Sequence, residues 1–336
     1  FRKQLSIERE IMKKTALILG VTGQDGSYLA EILLKNNYIV HGLIRKSSTG
    51  NTKNIQHLIS NDNLLNKSFF LHRGDLADPT SIYRVINEVR PNEIYNEADQ
   101  DHVSWSFDMV SYSTDITANS FMRLCEIVRQ IDTAIKIFQP CTSNMFGITN
   151  EKKLSEASKL NPQSPYAIAK TFSFHTARYY RTTFGMFIST GIFFNHESPR
   201  RSVDYLSRKV TSSVAKIKKG YLDKLELGDL SAKIDWGYAL DYMEAAHSIM
   251  QLNQPSDYII GTGKLHSVEE LVEMAFNEVN LDWKNYVESS LKFFRPSKTS
   301  PLCADISKAK KDFEFNPKTN LQKLISIMVK HDMNIS

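Results

Sequence analysis

The stretch "TALILGVTGQDGSYLAEILLKNNYIVHGLIR", residues 15–45, decides the fold. "TALILG" (15–20) is a short aliphatic run, "SYLAEILLKNN" (27–37) is amphipathic at helical spacing, and "YIVHGLIR" (38–45) is apolar again. Strand, helix and strand in that order, with strands apolar on both faces, make two parallel neighbours joined by a crossover helix. Gly20, Gly23 and Gly26 punctuate the first turn in a G-x-x-G-x-x-G spacing. Glycines there permit a tight turn and close approach of backbone to a pyrophosphate, and the free N–H groups and dipole of the following helix favour the anion. Gln24 and Asp25 belong to the same candidate dinucleotide loop.

The alternation continues outward. "SFFLHRG" (68–74) reads as a strand, "PTSIYRVINEVR" (79–90) as a helix and "EIYNEA" (93–98) as a strand. "NSFMRLCEIVRQI" (119–131) follows as a helix and "IKIFQP" (135–140) as a strand. The predicted fold class is therefore α/β, a Rossmann-type doubly wound parallel sheet. Beyond about residue 196 the pattern loosens, with helical stretches at 205–219, 238–251 and 267–279. This predicts a nucleotide-binding domain over 12–195 and a smaller C-terminal substrate-binding lobe over 196–336, with segments around 235–263 returning to the first domain. Residues 1–11 precede Met12 and the first strand and are read as an upstream extension or expression remnant.

After the second strand, the acid that usually selects NAD is replaced by Arg45, Lys46, Ser47 and Ser48. Cations and hydroxyls suit a ribose 2′-phosphate that an aspartate would repel, so the predicted cofactor is NADP; a solvated basic loop is the alternative. Asp75 and Leu76 follow the third strand, where a carboxylate can accept from the adenine amino group or serve as a plain turn residue.

The chain carries 42 Lys and Arg against 37 Asp and Glu, a formal charge of +5. Part of the excess lies in "RKVTSSVAKIKKGYLDK" (208–224), either a solvated helix face or a surface that attracts phosphate-bearing ligands. No basic repeat is interleaved with aromatics, which argues against nucleic acid as a partner. No apolar run approaches the roughly 20 residues of a membrane span and no signal-peptide core is evident, so a cytoplasmic protein is expected. Cys125, Cys141 and Cys303 are widely spaced and odd in number, hence reduced structural residues, and no metal site is predicted.

"SPYAIAK" places Tyr166 and Lys170 at i and i+4 on one helix face. An ammonium beside a phenol lowers its pKa, which lets Tyr166 exchange a proton with a substrate hydroxyl while hydride moves to a nicotinamide. The "CTS" hydroxyls at a strand end complete the constellation.

With these motifs the chain resembles the extended short-chain dehydrogenases/reductases, and from about residue 14 onward it is similar to the GDP-mannose 4,6-dehydratases. The resemblance lies in "GVTGQDGSYLAEILL", "HGLIRKSS", "SPYAIAK", "GMFISTGIFFNHESPRR", "DWGYALDYMEA" and "IGTGKLHSVEELVE". It implies NADP retained through turnover, a nucleotide-diphosphate sugar with GDP favoured, and a homodimer or homotetramer. It also implies 4,6-dehydration: hydride leaves C4 with Tyr166 as base, a Glu removes the C5 proton to expel water from C6, and hydride returns to C6. By position Thr142 holds the C4 oxygen, Lys170 partners Tyr166, and Asn195, Lys209 and Arg295 contact the nucleotide diphosphate.

At the family's Glu position stands Asn144, an amide that takes up no proton at neutral pH. Candidate replacements lie in "NEADQDHVSWSF", where relatives carry small or neutral residues: Glu97, Asp99 and Asp101. Asp101 ranks first because its position faces the sugar in relatives; structural pairing with a nearby Arg or Lys is the alternative for all three. Ile234 replaces an Arg before "DWG", and Lys298 replaces an acid after "RP". Three readings therefore stand: 4,6-dehydration, C4 oxidation without elimination as a dehydrogenase or epimerase, and a non-catalytic NADP-binding protein.

Overall fold

The computed structural model describes residues 13–48, 50–290 and 300–335. Residues 1–11, Arg295 and Lys298 lie outside the described residues.

Strands β1 (Thr15–Leu19), β2 (Ile39–Ile44), β3 (Phe69–Arg73), β4 (Glu93–Asn96), β5 (Lys136–Thr142) and β6 (Ile188–Phe193) form most of the central sheet. The shorter β7 (Asn195–Glu197), β8 (Leu225–Leu227), β9 (Lys233–Ile234) and β10 (Trp236–Tyr238) follow, then β11 (Asp257–Ile260), β12 (His266–Ser267) and β13 (Val287–Ser289). The helices of the first half are α1 (Gln24–Lys35), α2 (Gln56–Ile59), α3 (Pro79–Val89), α4 (Trp105–Asp108), α5 (Val110–Thr114), α6 (Ser120–Ile131) and α7 (Pro165–Phe184). Those of the second are α8 (Leu206–Lys218), α9 (Ala239–Met250), α10 (Val268–Asn277), α11 (Ser307–Phe313) and α12 (Leu321–Ile335). No helix among the described residues is long and apolar enough to cross a membrane.

The sheet has seven strands in the order β11-β6-β5-β4-β1-β2-β3, every pair parallel. Strand β1 shows why both faces are covered. Ala16 and Ile18 enter one core with α1 and α9, while Leu17 and Leu19 enter the other with α3, α6 and α7. All four are fully buried, and each leucine or isoleucine so buried stabilises by about 1.5–3 kcal/mol. The strand order reverses between β1 and β4, which places the ligand crevice of a doubly wound sheet at their C-terminal ends.

Two elements late in sequence belong to this layer: β11 pairs with β6, and α9 packs on α1. The remaining lobe has its own core, in which α8, α10 and α12 bury Val214, Leu271, Phe276, Ile325 and Met328 beside Leu225 and Leu227 of β8.

Several boundaries differ from the periodicity. Helix α1 starts at Gln24 rather than residue 27, because Gly23 already serves as its N-cap. Strand β5 runs on to Thr142, carrying the hydroxyl to the strand end. The short helices α4 and α5 lack a long apolar period and were not legible; α5 runs into a π-helical segment at Asp115–Asn119 ahead of α6.

Candidate active site

The glycine loop is made by the backbone. Gly20 has φ +81°, and a Cβ there would lie 2.6 Å from the carbonyl oxygen of Glu97 at the end of β4. A Cβ on Gly26 would lie 2.3 Å from the Gly20 carbonyl oxygen, so the turn closes only without side chains. Gly23 caps α1 with no side-chain hydrogen bond, which leaves first-turn N–H groups for an anion. The donor set therefore fits a pyrophosphate.

The side chains of Gln24 and Asp25 are engaged within the protein. Gln24 donates to the His196 carbonyl oxygen at 3.2 Å and accepts from Ser198 Oγ at 2.8 Å. Asp25 Oδ2 meets His196 Nε2 at 2.8 Å. Burial pushes the Asp25 carboxyl up, but His196 outweighs it and holds it below the usual range; against its own burial, His196 is raised by Asp25. These contacts fasten α1 to the "NHESPRR" segment, where Arg200 also reaches Ser27 at 3.0 Å and stacks on Tyr28. The arginines of that segment were quoted in the sequence, but nothing local to them showed which partners they reach.

At the rim, Arg45 donates to Tyr112 Oη at 3.0 Å, and Lys46 and Ser47 are exposed beside it. The Asp75 carboxylate accepts from the Ala77 N–H at 2.9 Å, a local turn, and buried Leu76 offers its carbonyl to Arg123. Asn195 is exposed at the start of β7, and Lys209 donates to the Glu226 carbonyl oxygen at 2.8 Å.

Across the groove, Ser164 accepts from the Ala167 N–H at 3.1 Å and Pro165 takes the first position of α7, which then runs to Gly185 at φ +65°. This start is strong in sequence because cap and proline coincide. It sets Tyr166 and Lys170, both buried, on the face toward β5. Lys170 donates to the Pro140 carbonyl oxygen at 2.8 Å, and Thr142 at the end of β5 lies against the Tyr166 phenol. Asn144 donates to Thr142 Oγ1 through both its backbone N–H and its amide, each at 3.2 Å. Thr142, Asn144, Tyr166 and Lys170 are thus one cluster.

Lys170 does pull the Tyr166 pKa down, as expected, but burial outweighs it. Burial pushes the phenol up, Lys170 and Thr142 pull it down, and Asp99 and Asp101 push it up again; the net direction is upward. The largest cause is the burial of the phenol, and Asp99, whose carboxylate forms an ion pair with Lys170, adds to it. Asp101 instead pairs with Arg201 at 3.3 Å, and its side chain is 52% exposed. The acid ranked first thus stands toward the lobe, and Asp99 reaches Lys170. Glu97 faces the same charges: burial and the Asp25 carboxylate raise its pKa well above the ordinary value, and its Oε1 is buried without a hydrogen-bond partner among the described residues.

A family model described as GDP-mannose 4,6 dehydratase matches residues 17–328. The chain belongs to the GDP-mannose 4,6-dehydratase family. It is 41% identical over 341 residues to GDP-mannose 4,6 dehydratase 1 of Arabidopsis thaliana, covering 99% of this chain and 94% of the relative. It is 39% identical over 343 residues to the human GDP-mannose 4,6 dehydratase, covering 96% and 92%. Among solved structures, a dTDP-glucose 4,6-dehydratase from Streptomyces venezuelae superposes with TM-score 0.83 at 21% identity, covering 94% of this chain and 96% of that one. A UDP-glucose 4-epimerase from Thermotoga maritima gives TM-score 0.83 at 19% identity, covering 96% and 99%. Those two likenesses show the shared fold.

Proposed function

We propose that this protein is an NADP-dependent, GDP-mannose 4,6-dehydratase-like enzyme acting on a nucleotide-diphosphate sugar. The observation that carries the reading is the cluster of Thr142, Tyr166 and Lys170 across the groove from a backbone-built phosphate cradle, in a chain of this family. The loop of Gly20, Gly23 and Gly26 with the first N–H groups of α1 holds the pyrophosphate. Arg45, Lys46 and Ser47 hold a 2′-phosphate, and Asp75 and Leu76 take the adenine end. Bound NADP supplies the hydride acceptor for C4 and the donor for C6. Tyr166 takes the C4 hydroxyl proton, Thr142 positions that oxygen, and Lys170 fixes the phenol. Asn195 and Lys209 meet the nucleotide diphosphate.

Elimination needs a base at C5, a role worth about 10²–10⁴ in rate. Asn144 is a hydrogen-bond donor to Thr142 and has no proton affinity to offer. Asp101 is the acid left half in solvent near the lobe, and we assign it this role. The second reading, C4 oxidation without elimination, is favoured by Asn144 itself. Exposed Ile168, Phe172 and Tyr179 lie on one face of α7, an apolar surface that suits pairing of two copies into a dimer or tetramer.

Incubation with GDP-mannose and other nucleotide sugars in D₂O separates the readings by mass spectrometry and NMR. Loss of one water with deuterium in the product supports dehydration, with Asp101→Asn as the following variant. Loss of two hydrogens with reduced NADP, or a C4 epimer of unchanged mass, supports oxidation alone. An absence of any product with all sugars sinks both.

A further inference from the structure

One carboxylate in the groove has no part in the reaction as proposed. Asp99 follows β4, and its ion pair with Lys170 is buried, with side chains 12% and 5% exposed. The other oxygen of Asp99 accepts the hydroxyl proton of Thr117, which rises from the π-helical segment at Asp115–Asn119. An ammonium has three donors, and Pro140 already takes one of them. Lys170 is therefore anchored from two sides, and its charge is matched before any ligand arrives.

A tyrosine and lysine pair works as a base because the unopposed ammonium stabilises the phenolate. A carboxylate in contact with that ammonium reduces the pair to a dipole, whose field at the phenol is weaker, and adds negative potential of its own. We propose that Asp99 is a positioning residue that clamps Lys170 and withholds its charge from Tyr166, so that the phenol stays protonated through the neutral range and C4 oxidation speeds up as pH rises. The inference rests on the proposed role of Tyr166 as the acid–base group.

The other groups facing the phenol agree with this direction. Lys170 on α7 is the cation directed at it; Asp99 and Asp101 follow β4, Thr142 ends β5 and Tyr205 precedes α8. Arg201, the next cation, is paired with Asp101 and Glu197. Glu97, whose pKa burial raises well above the ordinary carboxylate range, faces Asp99 and Lys170 from the end of β4. With burial included, these groups leave the Tyr166 pKa raised.

The test is a phenolate absorbance titration of the wild-type protein against Tyr166→Phe, whose difference isolates Tyr166. The wild type should show no Tyr166 phenolate below pH ~10, the ordinary tyrosine value. Asp99→Asn should lower the midpoint by about one to three pH units, the usual effect of one unopposed nearby charge, and move the rising limb of the oxidation rate with it. Asp99→Glu, which retains a carboxylate, should stay near the wild type. A wild-type midpoint below pH ~9, or equal midpoints in wild type and Asp99→Asn, overturns the proposal. The wild-type titration needs no Asp99 variant, so it remains decisive if Asp99→Asn fails to fold. A shifted midpoint without sugar turnover would sustain this inference while sinking the proposed activity; turnover without the shift would do the reverse.

Discussion

The end of β1 and the ends of β4 and β5 face one groove but are made of different material. At β1 the site is backbone: Gly20 in a left-handed turn, Gly26 against the Gly20 carbonyl, and the open first turn of α1. At β4 and β5 it is side chains: Asp99 on Lys170, Asn144 on Thr142, Asp101 on Arg201. A site of backbone dipoles depends on the path of the chain alone. A site of side chains depends on who pairs with whom, and here a single carboxylate, Asp99, is the ion-pair partner of Lys170.

The comparison breaks if the side-chain half carries no chemistry. Tyr166→Phe should lower C4 oxidation by about 10²–10⁴ while leaving dinucleotide affinity within a few fold, read by stopped-flow reduction of the cofactor and by equilibrium binding. Retention of a tenth of the wild-type rate would remove Tyr166 from the reaction.

A network outside both regions serves as the control. Asp257 accepts from Arg178 at 2.8 Å, Arg181 at 2.6 Å and Thr190 at 2.8 Å, tying α7 to the edge of the sheet. Asp257→Asn should cost about 3 kcal/mol in urea unfolding, the lower end for breaking a buried ion pair. That end applies because the Arg178 side chain is 42% exposed. Burial opposes the ionised form, but the arginines and Thr190 win and depress the Asp257 pKa. The carboxylate thus stabilises fully above the unfolded value of about 3.9 and loses that contribution as pH falls through the folded pKa. The variant and wild type should therefore converge in acid. A large change in cofactor affinity in this variant would instead mean that the control couples to the site through α7.

Asn144→Glu sharpens the side-chain half. It removes the amide donated to Thr142 and supplies a base at the family's position. Deuterium incorporation at C5 should rise about 10²-fold, the low end for a general base, if elimination lacks an efficient acid in the wild type. No rise would leave Asp101 or another carboxylate as sufficient.

Gly20→Ala probes the backbone half with the smallest effect. Left-handed strain and a Cβ 2.6 Å from the Glu97 carbonyl should cost about 1–3 kcal/mol and weaken dinucleotide binding. Gly185→Ala, at φ +65° with nothing within 4 Å, should cost only the strain and leave binding unchanged. Equal losses in the two melting experiments would show that the close approach at β1 is not needed.

Much of this architecture was legible in sequence. The two-face apolar strands, the glycine turn, and the Ser164 and Pro165 start of α7 all act within a few residues, where periodicity and capping decide the conformation. The juxtaposition of Tyr166 with Lys170 followed from the i, i+4 spacing on α7, and the family from the resemblance of its motif stretches. What the tertiary structure alone decided was the partner of each charge. It chose Asp99 over Asp101 for Lys170, turned Gln24 and Asp25 to Ser198 and His196, and buried Tyr166 so that its pKa is raised against the pull of Lys170. Local propensity is set by neighbours along the chain, whereas an ion pair in a low-dielectric groove is set by ångström distances between segments that only the packed sheet brings together.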